Sequence, residues 1–517
     1  MPIPDSTVLQ RLSALAAVSD EPGRHTAVIG EVFTGASLGE VPVAEAADVT
    51  AAVGVARTAQ RQWAARPVKE RAAVIERYRK LVLDNRDGLL DIIQAETGKA
   101  RWTAQEEALG ILAGTRYYSR LSARLLRPRR VPGPLPLVTR VRVARRPKGV
   151  VGVIAPWNYP MFLAIGDSLP ALLAGNAVLL KPAARTPFSA LANAELLYRA
   201  GLPRELLAVL PGPGSTVGGA IAESCDFLMF TGSTDTGRIL ARRCAERLIG
   251  FAAELGGKNP MIVTAGTDLA AVARVAARAC FSNAGQLCLS IERIYVERSV
   301  ATEFTGQFVA AAEALTVGPG YDFHTDMGSL TSPEQLETVR KHLADATSKG
   351  AHVLTGGRAR PDLGPLFFEP TVLTGVTPEM DCARAETFGP LVSVYPVADV
   401  DEAVTLANDS EYGLNAAVFA ATPAQGNALA ARLRTGAVTV DEGYAAAAAS
   451  PAAPMGGTGN SGSGRRHGPD GLLKYTDPQA IATTRLGVLG PPPKGSAARF
   501  FRMQVPIAEL VARLPWR

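Results

Sequence analysis

From Lys148 onward, short apolar runs alternate with stretches of helical periodicity, and no other feature narrows the possible folds as much. Residues 148–156 carry Gly149-Val-Val-Gly-Val-Ile-Ala155 and stop at a proline. A run that is apolar on both faces suits a strand buried inside a parallel sheet. Residues 177–181 and 227–230 repeat this pattern, with residues 189–200 and 236–249 reading as helices. A second series begins near Pro260, with strands expected at 261–263, 294–296, 392–394 and 437–440 and helical segments between them. Parallel strands need long crossovers, most often helices. The alternation therefore predicts two consecutive α/β domains with doubly wound parallel sheets.

The flanks read differently. Val8, Leu9, Leu12 and Leu15 give residues 7–19 an amphipathic helical spacing, and residues 44–123 are helical with few breakers. Residues 137–145 alternate through Val138, Arg140, Val141, Arg142 and Val143, predicting an exposed strand with an unpaired edge that another subunit could cover. Residues 444–464 are rich in Ala, Gly, Ser and Pro and predict a loop. Pro491-Pro-Pro marks a linker, followed by a basic tail at 499–517 carrying Phe500, Phe501, Val505, Ile507, Leu510, Val511, Leu514 and Trp516. This tail is expected to pack on a neighbouring subunit, with contact to anionic lipid the less favoured alternative. No internal repeat is present.

Composition excludes several classes. With 517 residues, 47% hydrophobic and 20% charged, the chain reads as an ordinary globular protein rather than a disordered one. A net charge of +6 is too mild to indicate nucleic-acid binding, though it would attract an anionic cofactor. The N-terminus has no basic and apolar leader pattern, and no run is long enough to span a membrane. Five scattered cysteines and five scattered histidines show neither a disulfide framework nor metal-ligand spacing, which predicts no metal site and a reducing cytoplasm.

The chemistry lies in a few tracts. Cys288, in Ser282-Asn-Ala-Gly-Gln-Leu-Cys288, follows Glu254 of Glu254-Leu-Gly-Gly-Lys258 by thirty-four residues. The first offers a nucleophile and the second a general base. Asn158, in Pro156-Trp-Asn-Tyr-Pro160, could donate its amide to an oxyanion. Phe230-Thr-Gly-Ser233 lies between a strand and a helix, where backbone N–H groups can approach a pyrophosphate. Gly212-Pro-Gly214 resembles a dinucleotide fingerprint, but its proline suits a plain loop. Lys181 closes a strand, and Glu386-Thr-Phe-Gly-Pro390 supplies a further carboxylate.

In this order and spacing the tracts resemble the aldehyde dehydrogenase superfamily over about residues 26–485, and are most similar to its actinobacterial NADP-dependent succinate-semialdehyde dehydrogenases. The resemblance implies a Rossmann-type cofactor domain at 1–130 and 149–255 and a catalytic domain at 256–443. It also implies a small β oligomerisation element at 131–148 and 465–486, with 487–517 as linker and tail. Cys288 would attack the aldehyde, Asn158 and the Cys288 N–H would hold the oxyanion, and Glu254 would activate water against the thioester. Lys181, with Pro182, Ala183 and Ala184, would hold the adenosine ribose; Gly232 and Ser233 would take the pyrophosphate. Glu386 and Phe388 would flank the nicotinamide ribose, and Trp157 and Leu255 would line the cofactor channel. The partners implied are a small aldehyde and NADP, with NAD as a weaker cosubstrate, in a homodimer or homotetramer.

Two departures from the family pattern matter. NAD-preferring relatives carry Glu three residues after the lysine, where this chain has Ala184, which predicts NADP preference. The arginines that usually bind the substrate carboxylate are replaced by Gly166 and Ser282, the following glycine segment carries Met455 and Gly459, and residues 445–449 are small. Arg293 and Arg465 are the remaining candidates for that carboxylate, against a structural role for each. Succinate semialdehyde is the expected substrate, and a broad aliphatic or aromatic aldehyde range is the alternative. A non-catalytic nucleotide- or nucleic-acid-binding protein is a remote third reading.

Overall fold

The computed structural model describes residues 4–133, 139–484 and 495–513. Leu137, Val138, the Pro491 linker, Leu514 and Trp516 lie outside them, as do the side chains of Ile507 and Val511.

The mixed α/β architecture expected from the alternation is present. One sheet runs in the order Gly462–Ser463, Gly250–Glu254, Phe227–Thr231, Val150–Ile154, Ala177–Lys181, Leu207–Val209. All its pairings are parallel except that of Gly462–Ser463. Every residue of Val150–Ile154, Ala177–Lys181 and Phe227–Thr231 is buried, so both faces are covered and the sequence shows no alternation there. The chain leaves Val150–Ile154 toward Ala177–Lys181, then returns to lay Phe227–Thr231 on its other side. That reversal opens a crevice at the strands' C-terminal ends, where ligands bind in open α/β sheets.

A second sheet orders His352–Thr355, Thr371–Thr374, Leu391–Val397, Ile291–Glu297, Asn259–Val263, Asn415–Phe419 and Ala437–Val440. It is parallel apart from His352–Thr355. Four helices, Ala46–Ala65, Val68–Asp84, Arg86–Thr97 and Arg101–Leu125, fill the stretch read as helical. The hairpin of Thr26–Gly30 with Ser37–Pro42 precedes them and was not expected.

The alternating strand needs a correction. Thr139–Pro147 is the central strand of a three-stranded sheet, paired along its length with Thr476–Thr484 and partly with Arg129–Val131. Its alternation comes from one solvated sheet face, not from an unpaired edge. The outer strand is Thr476–Thr484, mostly exposed. The tail forms the helix Ala497–Ala512, with Phe501, Met503, Val505 and Leu510 exposed.

Candidate active site

The C-terminal ends of four neighbouring strands carry one half of the site. Register places Ile154 beside Lys181 and Phe230, and Thr231 beside Glu254. Trp157 and Asn158, Gly232 and Ser233, and Leu255 therefore leave the sheet along one edge. Ser233 begins the helix Thr234–Glu246 without capping it through its own side chain, and its hydroxyl donates to Thr236 Oγ1 at 3.0 Å. The first-turn amides are left without that cap and so suit an anion. At the far end of this edge Lys181 is buried, donates to the Pro182 carbonyl at 2.9 Å, and has its pKa lowered by burial to about 8. Ala183 is half-buried, while Ala184 and Arg185 are exposed.

The second sheet brings the other half. The helix Leu269–Phe281 ends in a tight turn in which Asn283, Ala284 and Gly285 have φ of 52°, 53° and 72°. Left-handed backbone at two non-glycine residues is costly and persists only where the surroundings enforce it. Side-chain hydrogen bonds do so here. Asn283 Nδ2 donates to the carbonyls of Asn158 (3.3 Å) and Gln286 (3.0 Å), and Gln286 Nε2 donates to Ser329 O at 3.3 Å. A Cβ at Gly285 would collide with the Gly389 carbonyl, so the turn is wedged against the Glu386 loop. Asn158 Nδ2 donates to the Gln286 carbonyl at 3.1 Å, which ties the Asn158 loop to the turn that leads into Cys288.

Cys288 is the one cysteine of the five that is not buried. Desolvation, then the charge of Glu254, push its thiol up to about 12, while Arg466 acts in the opposite sense. The resting group is therefore a neutral thiol. Glu254 is buried, with Oε2 unpartnered, and burial raises it to about 7. Glu386 accepts from the Gly257 N–H at 2.8 Å and lies so close to Gly256 that a Cβ there would clash, while a Cβ at Gly257 would meet the Asn259 side chain and the Cys288 carbonyl. Burial raises Glu386 to about 8. Phe388 meets Trp157 edge-on, with ring centroids 5.6 Å apart.

Two supporting groups escaped the sequence reading. Lys99 is fully buried against Glu107, whose other oxygen accepts from the N–H groups of Met161 and Phe162, both at 2.9 Å. Behind Glu254 lie Arg466, Asp167 and Lys474. Arg465-Arg466-His467, charged residues directly after a glycine-rich stretch, was the available signal for the second group.

On the substrate side, Tyr159, Leu163, Leu287, Tyr444 and Met455 belong to an apolar cluster against which Cys288 packs. Ser282 accepts from the Tyr444 hydroxyl at 2.9 Å, and a Cβ at Gly166 would have Ile111 and Phe162 as its nearest neighbours. Arg293 is excluded as a substrate ligand, because it is buried and donates to the carbonyls of Lys258, Leu406 and Ala407. Arg465 donates to Gly457 O and Gly464 O. One helical turn before Ser282, the half-exposed Arg278 stacks over Trp102 and pairs with Glu106 at 2.8 Å. Among the described residues, no three His, Cys, Asp or Glu side chains gather as metal ligands, and no helix is long and apolar enough to cross a membrane.

The model described as the aldehyde dehydrogenase family matches residues 18–481. A Mycobacterium tuberculosis (strain ATCC 25618 / H37Rv) protein provisionally named NADP(+) succinate-semialdehyde dehydrogenase 2 is 60% identical over 517 residues, covering 100% of both chains. A similarly named Mycolicibacterium smegmatis protein is 59% identical over the same span, again with 100% of each chain covered. Among solved structures, a Mycobacterium tuberculosis aldehyde dehydrogenase complexed with NAD+ superposes with a TM-score of 0.85 at 35% identity, covering 90% of this chain and 95% of that one.

Proposed function

The chain belongs to the aldehyde dehydrogenase family, and from that premise we propose that it oxidises succinate semialdehyde to succinate with NADP, through a thioester on Cys288. The carrying observation is the pairing of the half-buried Cys288 with the buried carboxyl of Glu254, whose Oε2 is unpartnered, near enough for the charge of Glu254 to move the pKa of the thiol.

In this reading the Cys288 sulfur bonds to the aldehyde carbon as its thiol proton passes to solvent water, and the carbonyl pair moves to oxygen. Asn158 Nδ2 has a second N–H beyond the one given to Gln286, and with the Cys288 N–H it stabilises that oxyanion. When bound, NADP would supply the oxidant that accepts the hydride released from the former aldehyde carbon. Glu254 then removes a proton from water as the water oxygen attacks the thioester. The C–S bond breaks, releasing the acid, and the departing sulfur takes the proton held by Glu254, which restores both the thiol and the carboxylate.

The residues present fit a dinucleotide. The uncapped amides after Ser233 suit its pyrophosphate, Glu386 suits a ribose hydroxyl, and Lys181, at the end of its strand, suits the adenosine ribose. Exposed Ala184 leaves room for a 2′-phosphate beside Lys181 and Arg185. For the substrate carboxylate, Arg278 supports the reading because it is half-exposed and held by Trp102 and Glu106. A second reading, a broad range of neutral aldehydes, is favoured by the charge of Glu106 already matched to Arg278 and by the apolar wall. Assembly into dimers or tetramers through the exposed strand Thr476–Thr484 and a cytoplasmic setting complete the proposal.

Comparing kcat/KM for succinate semialdehyde with that for butanal, using NADP and NAD in parallel, tests it. Preference for the acid with NADP is expected. A tenfold or greater advantage for butanal would replace the first reading with the second.

A further inference from the structure

Behind Glu254, opposite charges are buried in a balance that only Glu254 can complete. Arg466 donates Nε to Asp167 Oδ1 at 3.0 Å and Nη2 to Asp167 Oδ2 at 2.6 Å. Its Nη2 also donates to Thr231 Oγ1 at 2.9 Å, and Thr231 is the cross-strand neighbour of Glu254. Lys474 Nζ lies 3.9 Å from Asp167 Oδ1, with Met229 Sδ at 3.3 Å and the Tyr475 ring centroid at 5.0 Å. Among the described residues, Asp167 is the one ion-pair partner of both Arg466 and Lys474.

Tyr118, from helix Arg101–Leu125, and Tyr475 face this cluster, and burial pushes both phenols up so that they stay neutral. Helix Pro160–Ala174 supplies Asp167, and the glycine-rich segment supplies Arg465, Arg466 and His467. Lys474 follows helix Gly468–Leu473, and Cys288 comes from the second domain. His467 is kept neutral, its pKa lowered to about 4 by burial and by Arg466. Arg465 is half-buried and bonded to main-chain carbonyls. With Glu254 protonated, the buried set carries a surplus positive charge; with Glu254 ionised, it is neutral. A buried charge without compensation is costly, so the cluster favours the ionised carboxyl.

We propose that Lys474 and Arg466, held by Asp167, act through Glu254 to keep it ionised, and so set the pH at which the acyl-enzyme is hydrolysed. Neither cation touches the reacting atoms. Arg466 is locked by its two-pronged bond to Asp167, and Lys474 supplies the unmatched charge. Burial raises Glu254 and lowers Lys474, and each is drawn back by the other's charge. The inference rests on the proposed role of Glu254 as base for the thioester.

The test needs no nucleotide. p-Nitrophenyl acetate can acylate the Cys288 thiol directly, giving a burst of p-nitrophenol followed by a steady phase limited by hydrolysis of the thioester. In the wild type the steady phase should rise with pH through about 7. Lys474→Met and Lys474→Gln should each move that midpoint upward by about one pH unit while leaving the burst amplitude unchanged. Lys474→Arg should restore the wild-type midpoint. A midpoint unmoved in whichever neutral variant folds, or moved equally by Lys474→Arg, overturns the inference, since a packing role does not follow charge. Glu254→Gln separates the two levels of argument. If it leaves the steady phase intact, the assignment of Glu254 as base fails before the cluster is considered.

Discussion

Lys99 Nζ donates to the main-chain carbonyl of Asn158 at 2.6 Å, from a fully buried position fifty-nine residues away in sequence. The same ammonium is 2.6 Å from Glu107 Oε1 and 3.8 Å from the centroid of the Tyr159 ring. Glu107 in turn caps the helix that begins at Pro160. The Asn158 side chain is thus aimed by a buried ion pair that holds its backbone and the start of the next helix.

Lys99→Met should therefore damage both stability and catalysis. It leaves Glu107 buried without its cation, which costs about 3–5 kcal/mol, and it frees the Asn158 loop. Thermal denaturation should show a clear drop in Tm. At temperatures where the variant is folded, kcat should fall at least about tenfold, in line with a misplaced oxyanion donor. Unchanged kcat in the folded variant would leave Lys99 a purely structural residue.

Ala184→Glu should shift preference toward NAD. A carboxylate about 4 Å from a 2′-phosphate charge costs about 4 kcal/mol at an effective dielectric near 20, and Ala184 is exposed at the end of the Lys181 strand. The ratio of kcat/KM for NADP over NAD should fall at least tenfold. A ratio that stays put removes this position from cofactor selection.

The free-enzyme thiol offers a check on charge. Cys288 is pushed up to about 12, first by burial and then by the anion of Glu254. An anion beside a thiol disfavours the thiolate, so deleting it must lower the thiol pKa. In Glu254→Gln, the pH midpoint for iodoacetamide alkylation of Cys288, followed by mass spectrometry, should move downward. A midpoint moved upward would mean that Glu254 serves chiefly to deprotonate the thiol.

Much of this was legible because it was local. The uninterrupted apolar strands stand where expected, and the helices read at 189–200 and 236–249 are Pro187–Arg199 and Thr234–Glu246. The strand Gly250–Glu254 was missed because a helix pattern runs up to its start and it offers few apolar residues. Residues 445–448, read as loop, form one helical turn. The alternating strand was recognised, but its place at the centre of its sheet depends on Thr476–Thr484, more than 300 residues later.

Sequence alone determined the α/β class and the chemical types of Cys288, Glu254 and Asn158, because strand periodicity and side-chain chemistry are properties of short segments. Tertiary structure alone decided what surrounds those groups. Arg466 meets Asp167 across 299 residues and Lys99 meets Glu107 beneath Asn158, so the fields and bonds acting on the reactive groups come from remote parts of the chain. Electrostatic energy depends on distance in space and on exclusion of water, and neither is recorded in residue order.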